Sequence, residues 1–201
     1  TKFSAVNLTL AGAICMSFVG LLIRIIESAD GFQILFYRSI GMSLVILTLV
    51  CVRRNQSPFR VLKSLDRNDF FMGICFSLAF LTYVFSMLNT SIASTLFLLS
   101  MSPIFAGCIG WFWINEKPHK VVWISMLIAL IGVSIMIKDG LADGKSFLKY
   151  LAIFSAIFFA LGLVQARKSK KTDVLGGTFL GALFSCFLGL LITVLLKNSI
   201  I

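Results

Sequence analysis

Long apolar runs separated by short polar segments dominate the chain. Seven of these runs are each close to the ~20 residues that cross a bilayer as an α-helix. They cover residues 5–26, 32–52, 70–88, 91–114, 120–137, 147–165 and 174–196. Strict alternation of apolar and polar positions, which is typical of membrane β-barrel strands, is missing from them. The pattern therefore predicts an all-α transmembrane protein in which seven helices are present.

Composition supports this prediction and narrows the chemistry. Of the 201 residues, 59% are hydrophobic and only 13% are charged, about half the charged share of a soluble domain. The net charge of +10 resides in short loops, so we expect no nucleic-acid partner. The cysteines fit no metal or disulfide spacing, and neither a metal nor a cofactor is expected; they are Cys15, Cys51, Cys75, Cys108 and Cys186.

The distribution of basic residues predicts the orientation. With the N-terminus placed in the cytoplasm, the inside segments carry 12 of the 18 lysines and arginines. The outside segments hold four of the eight acids, Glu27, Asp30, Asp139 and Asp143. Because cytoplasmic loops are enriched in Lys and Arg, we expect a multi-pass protein of the cell membrane, a bacterial inner membrane, with a cytoplasmic N-terminus. Membrane lipids are its expected surroundings, and a homodimer is left open.

The longest loop, residues 53–69, has a pattern of its own. Ser57 and Pro58 together favour a helix start. Apolar Phe59, Leu62 and Leu65 then fall on one side, and the basic residues Arg60, Lys63 and Arg67 fall on another. Two interpretations stay open: a short helix on the anionic inner leaflet, or an ordinary basic loop.

A partial internal repeat follows from an offset of 143 residues. This offset places Asp30 on Asp173 and Phe36 on Phe179. The linker after the first span is acidic, whereas the linker after the sixth span is basic. A unit that is repeated after five spans must lie upside down, and the reversed linker charge agrees with the positive-inside rule. Inverted repeats of this kind are a transporter design, with the substrate site near the middle of the bilayer.

One stretch is specific enough to suggest a family. Residues 89–137 read NTSIASTLFLLSMSPIFAGCIGWFWINEKPHKVVWISMLIALIGVSIMI. This stretch resembles the fourth and fifth helices of EamA-like proteins of the drug/metabolite transporter (DMT) superfamily. The resemblance rests on small and polar residues that open the fourth helix, on Pro103, on Glu116 and on Gly132-Val133. Arg38 in the second helix and the segment after the sixth helix also match, whereas Ser125 stands where glycine is usual.

The resemblance implies a ten-helix bundle of two inverted five-helix repeats around a central cavity, with alternating access. The chain would then supply a first repeat in residues 1–138 and two helices of a second, incomplete repeat in residues 139–201, without the last three helices. Proteins of this family carry amino acids, sugars, nucleotide-linked metabolites and drugs. We therefore expect a secondary transporter of a small-molecule substrate, an exporter or exchanger, and not an enzyme.

Candidate site residues come from polar groups at membrane depth. Arg38 lies about 9 Å into its helix and is expected to hold an anionic group or to act as an outer gate; snorkelling, or pairing with Glu27 or Asp30, is the alternative. Further hydrogen-bonding groups that could contact a polar substrate are Tyr83, Ser86, Asn89, Ser94 and Thr95.

Two other features are structural or mechanical. Pro103 removes a helix hydrogen bond and should kink the fourth span, either as a hinge or as a fixed packing kink. The small residues of the seventh span recur every fourth position, which predicts close contact with a neighbouring helix; they are Gly177, Gly181, Ser185 and Gly189.

Rival functions are a seven-helix receptor and a membrane enzyme. The receptor agrees with the span count, but the seventh span lacks an internal lysine for retinal. An enzyme needs acid–base or metal-binding groups at membrane depth, and the seven spans hold no deep Asp, Glu or His. The lack of a deep Asp, Glu or His in these spans also predicts that transport runs down the substrate gradient or by exchange, and not by proton coupling.

Overall fold

The computed structural model describes residues 6, 7, 10–12, 14, 18, 22, 31–54, 57–115, 117, 119–140, 146–169 and 174–195. Within these ranges the regular elements are α-helices. In chain order they are α1 Gly31–Arg54, α2 Pro58–Lys63, α3 Arg67–Asn89, α4 Ile92–Leu99, α5 Ser102–Ile114, α6 Lys120–Gly140, α7 Ser146–Lys168 and α8 Leu175–Leu195.

Among the described residues, five helical segments are long and apolar enough to cross a membrane: Gly31–Val52, Arg67–Asn89, Ser94–Ile114, Tyr150–Lys168 and Leu175–Val194. The predicted all-α membrane fold is therefore confirmed. Helix α6 has 21 residues, with a shorter apolar stretch at Val121–Gly132. The first predicted span lies outside the described residues except for isolated positions. The total of seven spans accordingly stays a prediction, as do the ten-helix bundle and the inverted repeats.

The fourth predicted span is divided into two helices. Helix α4 ends at Leu99, and α5 begins at Ser102 with Pro103 in its first turn. Proline has no N–H to donate to the carbonyl four residues earlier, so the helix cannot continue unbroken through this point. The carbonyl of Met101 starts the new helix by accepting from the backbone N–H groups of Ile104 at 2.9 Å and Phe105 at 3.2 Å.

The helices of the two predicted repeats interdigitate. Helix α8 packs between α1 and α3, and α7 packs between α3 and α5. Helix α7 also contacts α4, while α6 touches α4. Helix α3 is therefore the centre of the described bundle. The described helices of residues 1–138 therefore pack directly against those of residues 139–201.

Small residues on α8 allow this close packing. A Cβ built on Gly177 would lie 2.6 Å from the Cβ of Met72, and one on Gly181 would lie 2.7 Å from the Cβ of Phe76. At the other end of α8, a Cβ on Gly189 would lie 3.1 Å from the carbonyl oxygen of Phe32. The stripe thus contacts α3 at Gly177 and Gly181 and α1 at Gly189. Van der Waals packing of this kind drives helix association in lipid.

Buried hydroxyl groups connect the same helices. The Oγ of Ser185, the third residue of the stripe, donates to the carbonyl of Gly181 at 2.8 Å and lies 3.3 Å from the Oγ of Ser77 on α3. The Oγ of Ser155 on α7 donates to the carbonyl of Ala79 at 2.9 Å. Since each of these buried hydroxyls has a partner, their desolvation is compensated.

The start of α3 is stabilised by a capping box. Asp66 is the N-cap residue, and its backbone N–H donates to Oδ2 of Asp69 at 3.0 Å. Reciprocal bonds of this type satisfy N–H groups that the first helical turn leaves unpaired. The carboxylates also lie at the positive end of the helix dipole. This acidic pair therefore marks the beginning of a spanning helix inside an otherwise basic segment.

Candidate functional site

A cleft of about 470 Å³ lies among α5, α6 and α7. Its size falls within the range of small-molecule pockets, roughly 300–1,000 Å³. Its wall is formed by small and apolar residues, with two cations contributed by the loop after α5 and by the end of α7. The lining residues are Ser102, Pro103, Ala106, Gly107, Gly110, Lys117, Val122, Met126, Leu163 and Arg167.

The chemistry of the cleft is mainly apolar with a few polar groups. Ser102 supplies a hydroxyl next to the helix break, while Lys117 and Arg167 supply positive charge. A Cβ built on Gly110 would meet no atom within 4 Å. The cleft therefore has free space beside α5 that a side chain at this position would enter.

Pro103 lines this cleft at the junction of α4 and α5. The break beside it carries a hydrogen bond from the Oγ of Ser100 to the carbonyl of Phe97, at 2.6 Å. A helix interruption at membrane depth is tolerated where it is buried in protein or lines a cavity. The structure thus places the predicted hinge at the wall of a cavity, and its motion stays a prediction.

Arg38 lies between α1 and α3 and is not among the residues that line the cleft. Its guanidinium carbon is 5.4 Å from the ring centroid of Phe80 and 5.3 Å from that of Tyr83. Both distances fall within the range of cation–π attraction. Arg38 is half-buried, and Tyr83 is 5% exposed. The structure therefore brings together two of the predicted substrate-binding residues, Arg38 and Tyr83.

Ser86 and Thr95 form part of a hydroxyl cluster that joins α3 to α4. Their side-chain oxygens are 3.0 Å apart, and both residues are fully buried. The hydroxyl of Thr90 lies 2.8 Å from that of Thr95 and also donates to the carbonyl of Ser86 at 2.8 Å. The hydroxyls that were predicted to contact a substrate are thus engaged with one another.

The other two predicted polar contacts lie at the same turn but differ in exposure. The side-chain amide of Asn89 is exposed and donates to the carbonyl of Phe85 at 2.8 Å. Ser94 is half-buried, and its backbone N–H donates to the Oγ of Ser91 at 3.1 Å, which caps α4. The substrate-binding role of these residues stays a prediction, and the bonds observed hold the turn.

The profile of the EamA-like transporter family matches residues 3–138. The match covers well over half of the chain. The chain belongs to the EamA-like transporter family. It is a multi-pass membrane protein of a transporter family, in agreement with the resemblance of residues 89–137 and with the apolar helices of the structure.

Individual relatives are also named as transporters. Two proteins from Helicobacter pylori strains J99 and 26695, each named as an uncharacterised transporter, are 26% identical to the chain over 179 residues. The alignments cover 85% of this chain and 57% of each relative. The chain thus spans little more than half the length of these relatives.

A third relative comes from Latilactobacillus sakei and is named RbsU, a proposed ribose uptake protein. It is 32% identical over 108 residues, which cover 52% of this chain and 36% of the relative. No solved structure matches the chain.

Sequence reasoning about this EamA-like protein missed most of the cleft. Gly107, Gly110, Met126 and Leu163 line it, but such residues are equally common on helix surfaces that pack against each other or face lipid. Sequence reasoning also missed the bond from Nε2 of Gln165 on α7 to Oδ1 of Asn68 on α3, at 3.0 Å. A polar residue near the end of each of two spans was the available signal for this pair.

Proposed function

We propose that this EamA-like protein is a secondary carrier that moves a small polar metabolite or drug-like solute by alternating access, as an exporter or exchanger. The cleft among α5, α6 and α7 supports this proposal, because it adjoins the helix break at Pro103. A break gives α4 and α5 a point about which they can change their angle. The proposed passage follows the Pro103 side of α5.

The proposed setting is a bacterial inner membrane with the N-terminus in the cytoplasm. In that orientation the loop after α5 and the end of α7 face the cytoplasm. Lys117 and Arg167 then lie at the cytoplasmic side of the cleft, where they would attract solutes that carry negative charge. The spans predicted from the sequence hold no deep carboxylate or histidine, which supports transport down the solute gradient or by exchange rather than by proton coupling.

The test compares two valine substitutions in the protein expressed from its complete gene and reconstituted in sealed liposomes. Gly110→Val places a branched side chain in the cleft, where an added Cβ would have no atom of another helix within 4 Å. Gly41→Val on α1 is the matched control, since Gly41 is also a helix residue with nothing within 4 Å of an added Cβ, but it does not line the cleft. Both changes alter the intrinsic helix propensity equally, since valine favours a helix slightly over glycine.

The measurement is counterflow of labelled solutes, beginning with ribose and a panel of amino acids. We expect Gly110→Val to reduce the uptake rate strongly while Gly41→Val retains it, at equal amounts of reconstituted protein. Equal uptake by the two variants would show that solutes do not pass the cleft. If no solute of a broad panel shows counterflow with the unmodified protein, the carrier proposal itself fails.

A further inference from the structure

Helix α2, Pro58–Lys63, presents an apolar surface outside the bundle. Phe59 is 80% exposed and Leu62 is 46% exposed, whereas Val61 between them is only 4% exposed. Residues three apart are neighbours on a helix surface, so Phe59 and Leu62 form one apolar pair. Exposed apolar side chains that adjoin each other beside a spanning helix mark a surface that contacts a protein or a membrane.

The orientation of α2 is set by the bundle. Val61 belongs to a buried cluster with Ile46 and Val50 of α1 and Phe179 of α8. Leu65, which the sequence pattern grouped with Phe59 and Leu62, packs against this cluster instead. Because Val61 and Leu65 are held by the bundle, α2 cannot rotate Phe59 inward without withdrawing both of them from the core.

Positive charge lies beside the apolar pair. Arg60, Lys63 and Arg67 are exposed, and residues 53–69 together contain five basic and two acidic residues. Of the two acids, Asp69 is buried and Asp66 caps α3 beside it. Lys63 follows Phe59 by one helical turn, so its aliphatic stem can lie beside the ring while its ammonium group stays at headgroup level.

The position of α2 along the chain places it at the membrane surface. Only three residues separate the end of α1 at Arg54 from Pro58, a distance of at most about 14 Å. The last turns of α1 carry exposed Leu49 and Val52, which continue the apolar surface toward α2. An apolar pair at this depth, with cations beside it, complements the acyl chains and anionic headgroups of one leaflet.

We propose that α2 is a lipid-binding anchor, in which Phe59 and Leu62 insert into the cytoplasmic leaflet while Arg60 and Lys63 bind the phosphates of anionic phospholipids. This function is independent of solute transport. By holding α2, the leaflet also holds the ends of α1 and α8 that pack on Val61. Anionic lipid thereby becomes a structural partner of the contact between the two proposed repeats.

The test measures the depth of a fluorophore in the complete protein reconstituted in nanodiscs. A bimane label is attached to Phe59→Cys, and a matched label is attached to Ser64→Cys, in a background in which native cysteines are replaced. Ser64 is exposed and follows α2, nearly opposite the Phe59–Leu62 pair by helical geometry. We expect the label at position 59 to be quenched by acyl-chain nitroxide lipids, and the label at position 64 to be quenched by iodide in water.

The lipid headgroup is then varied between phosphatidylglycerol and phosphatidylcholine. Phosphatidylglycerol should increase acyl-chain quenching at position 59. The substitutions Arg60→Gln and Lys63→Gln should remove this increase. Each lost charge should lower the equilibrium constant for insertion about fivefold. The control Lys168→Gln removes a cytoplasmic-side charge on α7 and should leave the increase intact.

Three results would overturn the proposal. Iodide quenching of both labels would show that α2 faces water. Shielding of both labels from iodide and from nitroxide lipids would show that protein covers α2. Quenching by acyl-chain nitroxides that is equal in the two lipids would show an apolar contact without the proposed recognition of anionic headgroups.

Discussion

Phe36 on α1 packs directly against Gly189 on α8, so closely that a Cβ on Gly189 would lie 3.2 Å from the Cβ of Phe36. The 143-residue offset relates Phe36 to Phe179 and Ile46 to Gly189. Phe179 and Ile46 belong to one buried cluster between the same two helices. A two-fold axis between α1 and α8 would exchange these two contacts. The pair thus supports the inverted-repeat hypothesis, which stays a prediction.

Adding a methyl group at Gly181 should destabilise the bundle. The new Cβ would lie 2.7 Å from the Cβ of Phe76, an atom that cannot move without its backbone. We expect Gly181→Ala to lower the free energy of unfolding by about 1–3 kcal/mol, as overpacking does. The measurement is thermal or denaturant unfolding of the purified protein in detergent.

The control for this prediction is Gly41→Ala. Position 41 is exposed on α1 and has nothing within 4 Å of an added Cβ. Since alanine favours a helix over glycine by roughly 1 kcal/mol, Gly41→Ala should be neutral or stabilising. Equal stability of the two variants would contradict the close approach of α8 to α3.

Removing the hydroxyls of Ser86 and Thr95 should reveal a structural coupling. Their oxygens are 3.0 Å apart in a fully buried setting. A double-mutant cycle with Ser86→Ala and Thr95→Val should give an interaction energy near the ~0.6 kcal/mol average for hydrogen bonds between membrane helices, with ~1.7 kcal/mol as the upper end. Unfolding free energies of the four proteins provide the measurement.

The same four proteins separate the structural role from a substrate-binding role. If Ser86 and Thr95 hold the turn, transport by the variants should change only in proportion to the amount of folded protein. Loss of transport at full stability, with no coupling between the two positions, would instead assign both hydroxyls to the substrate.

Arg38 is expected to support transport through its cation–π contacts, which connect α1 with α3. Arg38→Ala removes contacts to Phe80 and Tyr83, which are worth about 0.5–2 kcal/mol each by general estimates of cation–π energies. We expect a marked loss of transport with expression near that of the unmodified protein. Arg38→Lys keeps the charge but loses the planar guanidinium, so it should recover only part of the rate. Unaltered transport by Arg38→Ala would leave Arg38 as a snorkelling anchor.

Topology can be tested with single cysteines in intact cells. Ser64→Cys after α2 and Ser169→Cys after α7 should be shielded from an impermeant thiol reagent added outside. Ser91→Cys, in the exposed turn between α3 and α4, should react. Permeabilised cells provide the control, because all three positions should then be labelled. The reverse pattern in intact cells would place the N-terminus outside.

Much of the architecture could be read from the sequence because the bilayer imposes strong rules on the chain. A helix that crosses lipid must satisfy its backbone internally and present about 20 apolar residues. The runs at 32–52 and 174–196 therefore became α1 and α8 to within a few residues at most boundaries. The Ser57-Pro58 pair likewise marked the start of α2, since proline is favoured in the first turn of a helix.

The sequence did not show which residues contact each other between helices of the bundle. Gly177 and Gly189 belong to one stripe by spacing, but only the folded chain shows that the first contacts α3 and the second contacts α1. Similarly, Ser86 and Thr95 have the chemistry of substrate ligands in the sequence. In the structure they bond to each other, because the turn after α3 brings the start of α4 against it.

The sequence by itself determined that this chain is a helical membrane protein of the EamA-like family, because hydropathy and helix-packing motifs are local properties of consecutive residues. The tertiary structure decided which faces meet: α8 lies between α1 and α3, Arg38 lies on Phe80 and Tyr83, and a cleft opens beside Gly110. Such relationships depend on packing among helices that are distant in the chain. In lipid, many apolar faces are equally well solvated, so hydropathy does not distinguish a lining residue from a lipid-facing one.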